Sequence, residues 1–176
     1  MHRQAHEVLP ALLQALNVSE APWLFGHSDG GSIALLYATR HDCAGVMVVA
    51  PHIMVEDVSV ASIAQAKLAY ENTDLRQRLA RYHSDVDSAF WGWNHVWLSP
   101  EFRNWSIEQE LSTITCPVLA IQGMDDEYGT LAQIRNIQHH IPRTQLLELA
   151  HCGHSPHRDQ PQALSQGCVH FFRNLN

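Results

Sequence analysis

The sequence predicts an α/β fold: a mostly parallel sheet of about four strands, flanked by helices and carrying a helical insertion. Three observations point there. Short apolar strands alternate with helical segments along the chain. Val46–Ala50 has no polar face, and Val118–Gln122 is another such strand, as expected for a sheet covered on both sides. Between those two strands lie about 65 residues with helical signals only.

The elements follow in order. Val8, Leu9, Leu12, Leu13 and Leu16 recur at helical spacing and predict an amphipathic helix over Gln4–Leu16. Trp23–Phe25 is a short strand running into Gly26. Ser32–Arg40 is apolar nearly all round and reads as a buried helix. After Val46–Ala50 come helices at Val58–Tyr70, after a Thr73 cap, and after Asp85 or Asp87. The last of these carries Phe90, Trp91, Trp93 and Trp97. Ser99-Pro100 opens a short helix, and Ser106 with Gln109 fits a capping box for another. Gln145–Leu149 is the fourth strand, and Asp159-Gln160-Pro161 starts the last helix. The expectation is one domain, 1–176, with 52–115 inserted as a helical lid. An insertion leaving the second strand's end would roof the crevice at the carboxyl ends of the strands.

Composition narrows the function classes. The chain has 176 residues, 45 % of them apolar, enough for a real core. Its 11 basic and 18 acidic residues give a formal charge of −7. That balance argues against a nucleic-acid surface. No apolar run approaches the roughly 18 residues of a membrane span, so no membrane partner is expected. The amphipathic N-terminal segment does not read as a signal peptide. Cys43, Cys116, Cys152 and Cys168 are widely spaced with no CxxC pair, and a reducing cytoplasm is the expected location. His151, Cys152, His154 and His157 lie close together, but Gly153 and Pro156 interrupt any helix and the spacing fits no common zinc pattern. No metal or organic cofactor is expected.

Gly26-His27-Ser28-Asp29-Gly30-Gly31 sits between the first strand and the buried helix. This is G-x-S-x-G in the strand–turn–helix setting of a nucleophile elbow. The sharp turn strains the serine backbone, and the helix start favours developing negative charge. A nucleophilic serine needs a base, and the base an orienting acid. Gly123-Met124-Asp125-Asp126-Glu127 follows the third strand, and Ala150-His151-Cys152-Gly153-His154-Ser155 follows the fourth. Both are loops at the carboxyl ends of strands.

These residues resemble the α/β-hydrolase superfamily, over essentially the whole of Gln4–Phe172. The family's G-x-x-D matches Gly123 to Asp126, and its glycine–histidine pair matches Gly153-His154. The resemblance implies Ser28 as nucleophile, His154 as general base and Asp126 as orienter, with Asp125 the rival acid. It implies the backbone N–H of Asp29 as one oxyanion donor. The Trp-rich lid looks like those of bacterial esterases and meta-cleavage-product (C–C bond) hydrolases. The Ser-Asp-Gly-Gly wording is similar to the biphenyl-hydrolase-like esterases. His27, Trp91, Trp93 and Trp97 are candidate pocket residues, although the aromatic set also reads as the lid's own core.

The family's first four strands, and the loop supplying the second oxyanion donor, have no counterpart in this sequence. The nucleophile strand is therefore expected at a sheet edge, with helices beside it uncovered. A second copy of the chain can cover such an edge. Two functions follow. One is a serine hydrolase of a small carboxylic ester, thioester or lactone, with C–C hydrolysis of meta-cleavage-type diketones the runner-up. The other is a catalytically incompetent hydrolase fragment that acts by association.

Overall fold

The two apolar runs become the centre of the sheet. In the computed structural model, which describes residues 1–175, β2 (Gly45–Val49) and β3 (Val118–Gly123) are buried along their whole length. β1 (Trp23–His27) flanks β2, and β4 (Thr144–Leu149) flanks β3. The order is β1-β2-β3-β4, with every pairing parallel. The register sets Phe25 beside Met47, Val48 beside Ala120, and Ile121 beside Leu147.

Parallel neighbours need crossovers, and helices supply them. α1 (Leu9–Ala15) continues a π-helical turn over Gln4–Val8. α2 (Asp29–Ala38) joins β1 to β2 and packs on both. After the helical insertion, α6 (Ala132–His140) links β3 to β4, and α7 (Pro156–Asp159) and α8 (Pro161–Arg173) close the chain. Side chains alternate between the faces of the sheet. Met47, Val49, Leu119 and Ile121 form one core with Leu164 and Phe171 of α8. Each fully buried aliphatic side chain of this kind contributes about 1.5–3 kcal/mol.

Residues 1–54 and 106–175 form one compact unit, and Val55–Trp105 forms a second. The helical unit is narrower than the 52–115 expected from sequence. Hydrogen bonding explains the boundary. Ile107 N–H donates to the Ile53 carbonyl at 2.8 Å, and Met54 bridges to Ser106. Gln133 of α6 accepts from Ile53 N–H at 2.7 Å and donates to the Met54 carbonyl at 3.0 Å. Leu111 and Ile114 are buried. Both ends of the insertion are thus tied to the sheet unit.

Within the helical unit lie α3 (Asp57–Asn72), α4 (Leu75–Leu79) and α5 (Val86–Trp97). Tyr70 of α3 stacks on Phe90 of α5, ring centroids 3.8 Å apart, and its hydroxyl donates to Asp87 at 2.6 Å. Arg76 completes that knot with two bonds to Asp87. Asp85, rather than Asp87, caps α5 by accepting from Ser88 N–H. Ser106 does not form the expected box with Gln109. Its hydroxyl oxygen accepts from Glu108 N–H, and its O–H donates to the Glu108 carboxylate. A tight 3-10 turn over Glu108–Thr113 follows, which shifts the partner by one residue.

β1 lies at an edge of the sheet. Phe25 is 56 % exposed there, and Leu16 of the N-terminal helix is 64 % exposed, with Val8 and Leu12 also exposed. The apolar stripe of that helix is therefore wet, and only Ala5 of its first turns is buried. Among the described residues, no helix is long and apolar enough to cross a membrane.

Candidate active site

Ser28 separates β1 from α2 and has φ 54° and ψ −126°. A non-glycine residue in that region is strained by about 1–3 kcal/mol. The turn closes because Gly26 has no side chain. A Cβ there would collide with the Gly30 carbonyl and stand 2.7 Å from the Gly31 nitrogen. Gly30 is different, since a Cβ there would meet nothing within 4 Å. Gly26→Ala should therefore destabilise the fold by several kcal/mol, as overpacking against backbone does. Gly30→Ala, within a helix, should be neutral or stabilising by about 0.5–1 kcal/mol. Paired thermal melts decide; equal loss in both variants would refute this account of the turn.

Three loops at the carboxyl ends of β1, β3 and β4 bring polar groups to one place. The His154 ring lies between Ser28 and Asp126. Its Nε2 is 3.0 Å from Ser28 Oγ, and its Nδ1 is 2.9 Å from one Asp126 oxygen and 3.1 Å from the other. An ionised carboxylate only accepts, so Nδ1 carries the proton. Nε2 is then left to accept from the serine hydroxyl. The Asp126 side chain is 1 % exposed and that of His154 is 13 % exposed. Asp125 takes no part in this chain. It is exposed, and its backbone N–H donates to the Cys152 carbonyl.

Burial pushes the Asp126 carboxyl up. The His154 ring, the Tyr128 amide and the Gln122 side chain more than offset this and hold it below the usual carboxylate range. Tyr128 N–H donates to Asp126 at 2.9 Å. Gln122 Nε2 donates to Asp126 at 3.1 Å and to the Gly129 carbonyl at 2.8 Å. Sequence reasoning passed over Gln122. The available signal was a buried amide ending an otherwise apolar strand, Val118–Gly123.

The backbone of His154 is held at both ends. Its N–H donates to Glu127 at 3.2 Å, and its carbonyl accepts from His27 Nε2 at 2.7 Å. The preceding Gly153 N–H donates to Asp159 at 3.1 Å, which occupies the carboxylate expected to cap α8. His27, read from sequence as a pocket residue, thus fastens the loop that carries His154. The His52 ring stacks on His154 at 5.8 Å between centroids. Asp29 is the first residue of α2, at the positive end of the helix dipole directly after Ser28. Trp91 and Trp93 pack around Phe90 within the helical unit, and Trp97 meets Phe102 and Trp105 there. Among the described residues, no three His, Cys, Asp or Glu side chains are grouped to hold a metal ion.

These environments set an acid response. Burial lowers the His27 pKa from its ordinary 6.5. Below pH 6.5 the unfolded chain takes a proton at this position that the folded chain resists. The stability His27 contributes is therefore complete above 6.5 and is lost as pH falls through its folded value. Asp126 behaves likewise from its ordinary 3.8 downward. Urea midpoints should drop first below about pH 6.5 and again below about pH 3.8. His6, also lowered by burial, shares the first window. The first drop should therefore shrink, not vanish, in His27→Gln. A wild-type-minus-variant difference that does not change with pH would exclude His27 from it.

Comparison with known proteins agrees with this arrangement. No curated protein matches the chain in sequence. Solved structures match it in fold. An α/β-fold hydrolase from Bacillus anthracis str. Sterne superposes with TM-score 0.72 at 20 % identity, covering 97 % of this chain and 73 % of that one. The meta-cleavage product hydrolase CumD from Pseudomonas fluorescens IP01 gives 0.69 at 20 % identity, covering 94 % and 69 %. A bacterial membrane phospholipase A gives 0.76 at 21 %, covering 97 % of this chain and 62 % of that one. The chain thus spans roughly two thirds of the length of such proteins. Residues 2–166 match the sequence model of the α/β hydrolase family. With a strand–serine–helix turn, a parallel sheet and a match over nearly its whole length, the chain belongs to the α/β-hydrolase family.

Proposed function

We propose that the chain is a serine hydrolase acting on a small carboxylic ester, thioester or lactone. The observation that carries this reading is the unbroken hydrogen-bonded line from Ser28 Oγ through His154 to Asp126. In the proposed mechanism, His154 Nε2 takes the hydroxyl proton as Ser28 attacks the carbonyl carbon. The tetrahedral oxyanion forms beside the start of α2, where we assign the Asp29 amide as donor. Asp126 stabilises the imidazolium without taking its proton. His154 then protonates the leaving group. A water molecule activated by the same nitrogen releases the acid from the acyl-enzyme, and the imidazole is restored. C–C hydrolysis of a vinylogous diketone is a variant with a carbanion leaving group. The test is the intact mass of the chain after a fluorophosphonate probe. One adduct per chain on Ser28, absent in Ser28→Ala, supports the reading. A folded, unlabelled chain sinks it.

A second reading has its own support. Phe25 stands exposed on an edge strand whose free N–H and C=O groups can pair with another strand. In this reading two copies meet through β1. Light scattering after size exclusion should then give a dimer mass at tens of micromolar, and Phe25→Lys should give a monomer. A wild-type monomer at that concentration excludes it.

A further inference from the structure

At the opposite end of the sheet from Ser28, two thiols that play no part in this chemistry meet. Cys43 precedes β2 by two residues, and Cys116 precedes β3 by two. The register Val46–Val118 places Cys116 opposite Ala44, one residue out of step with Cys43. Neighbouring strands about 4.8 Å apart with a stagger of about 3.3 Å put the two Cα atoms about 6 Å apart, inside the range a disulfide spans. The two side chains hydrogen-bond to each other. Both are half-buried, and both line an open cavity of about 490 Å³ with Arg40, Thr115 and Arg143. Arg143 is fixed at that rim by donating to the Thr115 carbonyl at 3.2 Å.

We propose that Cys43 and Cys116 form an oxidant-responsive dithiol, open to small hydroperoxides through this cavity and closing to an intramolecular disulfide.

The two thiols have different environments. Cys116 is drawn down, first by the hydrogen bond from Cys43, with Arg143 adding its positive charge. Cys43 is pushed up, first by its bond to Cys116 and then by burial. Cys43 has one proton. In the thiol pair it can turn to the His41 carbonyl, 3.7 Å away, and it turns to the neighbouring sulfur when that sulfur is ionised. Cys116 is therefore the attacking thiolate and Cys43 the resolving thiol.

The steps balance. The Cys116 thiolate attacks one peroxide oxygen, the O–O bond breaks, and hydroxide (or alkoxide) leaves with its electron pair. Cys116 becomes a sulfenic acid. Cys43 then attacks that sulfur, the S–O bond breaks, and water leaves with the Cys43 proton. The dithiol has lost two electrons and the peroxide has gained them. The new bond closes a loop holding the whole Val55–Trp105 unit. A backbone cut inside that unit would then leave one covalent piece until reduction.

The experiment treats the native chain with one equivalent of hydrogen peroxide, then denatures and alkylates it. Intact mass and a non-reducing peptide map follow. The expected product is lighter by about 2 Da before alkylation, with Cys43 linked to Cys116. Cys152, buried and with its thiol pushed up, stays alkylatable, as does Cys168. In Cys43→Ser the reaction should stop at a dimedone-trapped sulfenic acid on Cys116. Arg143→Gln should slow oxidation at least fivefold. First oxidation at Cys168, a linkage other than Cys43 to Cys116, or complete alkylation of both after peroxide exposure would overturn the proposal. The wild-type map alone can do so, whether or not the variants fold.

Discussion

Ser28→Ala should lower kcat/KM for a p-nitrophenyl ester by about 10⁴-fold or more, while the chain stays folded. The loss is large because the hydroxyl is the proposed bond-forming group, and nothing else in the Ser28–His154–Asp126 line can attack. Residual turnover would report the oxyanion donor and substrate binding alone. Backbone strain gives an independent check. Alanine at φ 54° keeps the strain of serine, whereas glycine releases it. Ser28→Gly should thus be as inactive as Ser28→Ala yet more stable by about 1 kcal/mol. Steady-state kinetics and urea melts on both variants measure the two effects separately. Unchanged kinetics in Ser28→Ala would refute the nucleophile assignment outright.

Asp126→Asn should cost about 10⁴-fold in kcat, the size of effect seen when a triad carboxylate becomes an amide. The cause is a tautomer. Asp126 accepts from Nδ1–H and so leaves Nε2 unprotonated toward Ser28. Gln122 and Tyr128 already donate to this carboxylate. They would hold the asparagine oxygen and turn its NH₂ toward His154. Nδ1 must then accept, Nε2 carries the proton, and the serine hydroxyl has no base. The neighbouring Asp125 is exposed, so Asp125→Asn should change kcat less than threefold. Parallel kinetics on the two variants decide between adjacent carboxylates. Equal losses would mean that the geometry of this loop is not the working geometry.

The parts legible in the sequence are those where one residue type meets one local demand. Gly26 and Ser28 between an apolar strand and an apolar helix can only form a tight turn, and Val46–Val49 and Val118–Ile121 can only be buried. Gly153-His154 after the fourth strand was legible for a similar reason, because ligand-facing loops lie at the carboxyl ends of parallel strands. What stayed hidden depends on distances that no local pattern encodes. His27 fastens the loop of His154 across 127 positions, and Glu127 does so across 27. The choice between Asp125 and Asp126 turns on which carboxylate leaves the surface, and adjacent identical residues carry no periodicity to say so. Gln133 reads as one more polar helix residue, yet it fixes where the helical unit begins by binding Ile53 and Met54.

The placement of the helical unit between β2 and β3 bears on how the chain folds. β1 and β2 are joined by one short crossover, as are β3 and β4. The central pairing of β2 with β3 must instead close a loop of roughly seventy residues, an entropic cost paid before any central contact forms. Two local halves and one helical unit can each gather early, and their union through β2–β3 is the step we expect to limit the rate. Truncations in that seam, such as Val48→Ala, should then slow refolding in stopped-flow traces. Truncations inside the helical unit, such as Phe90→Ala, should mainly speed unfolding.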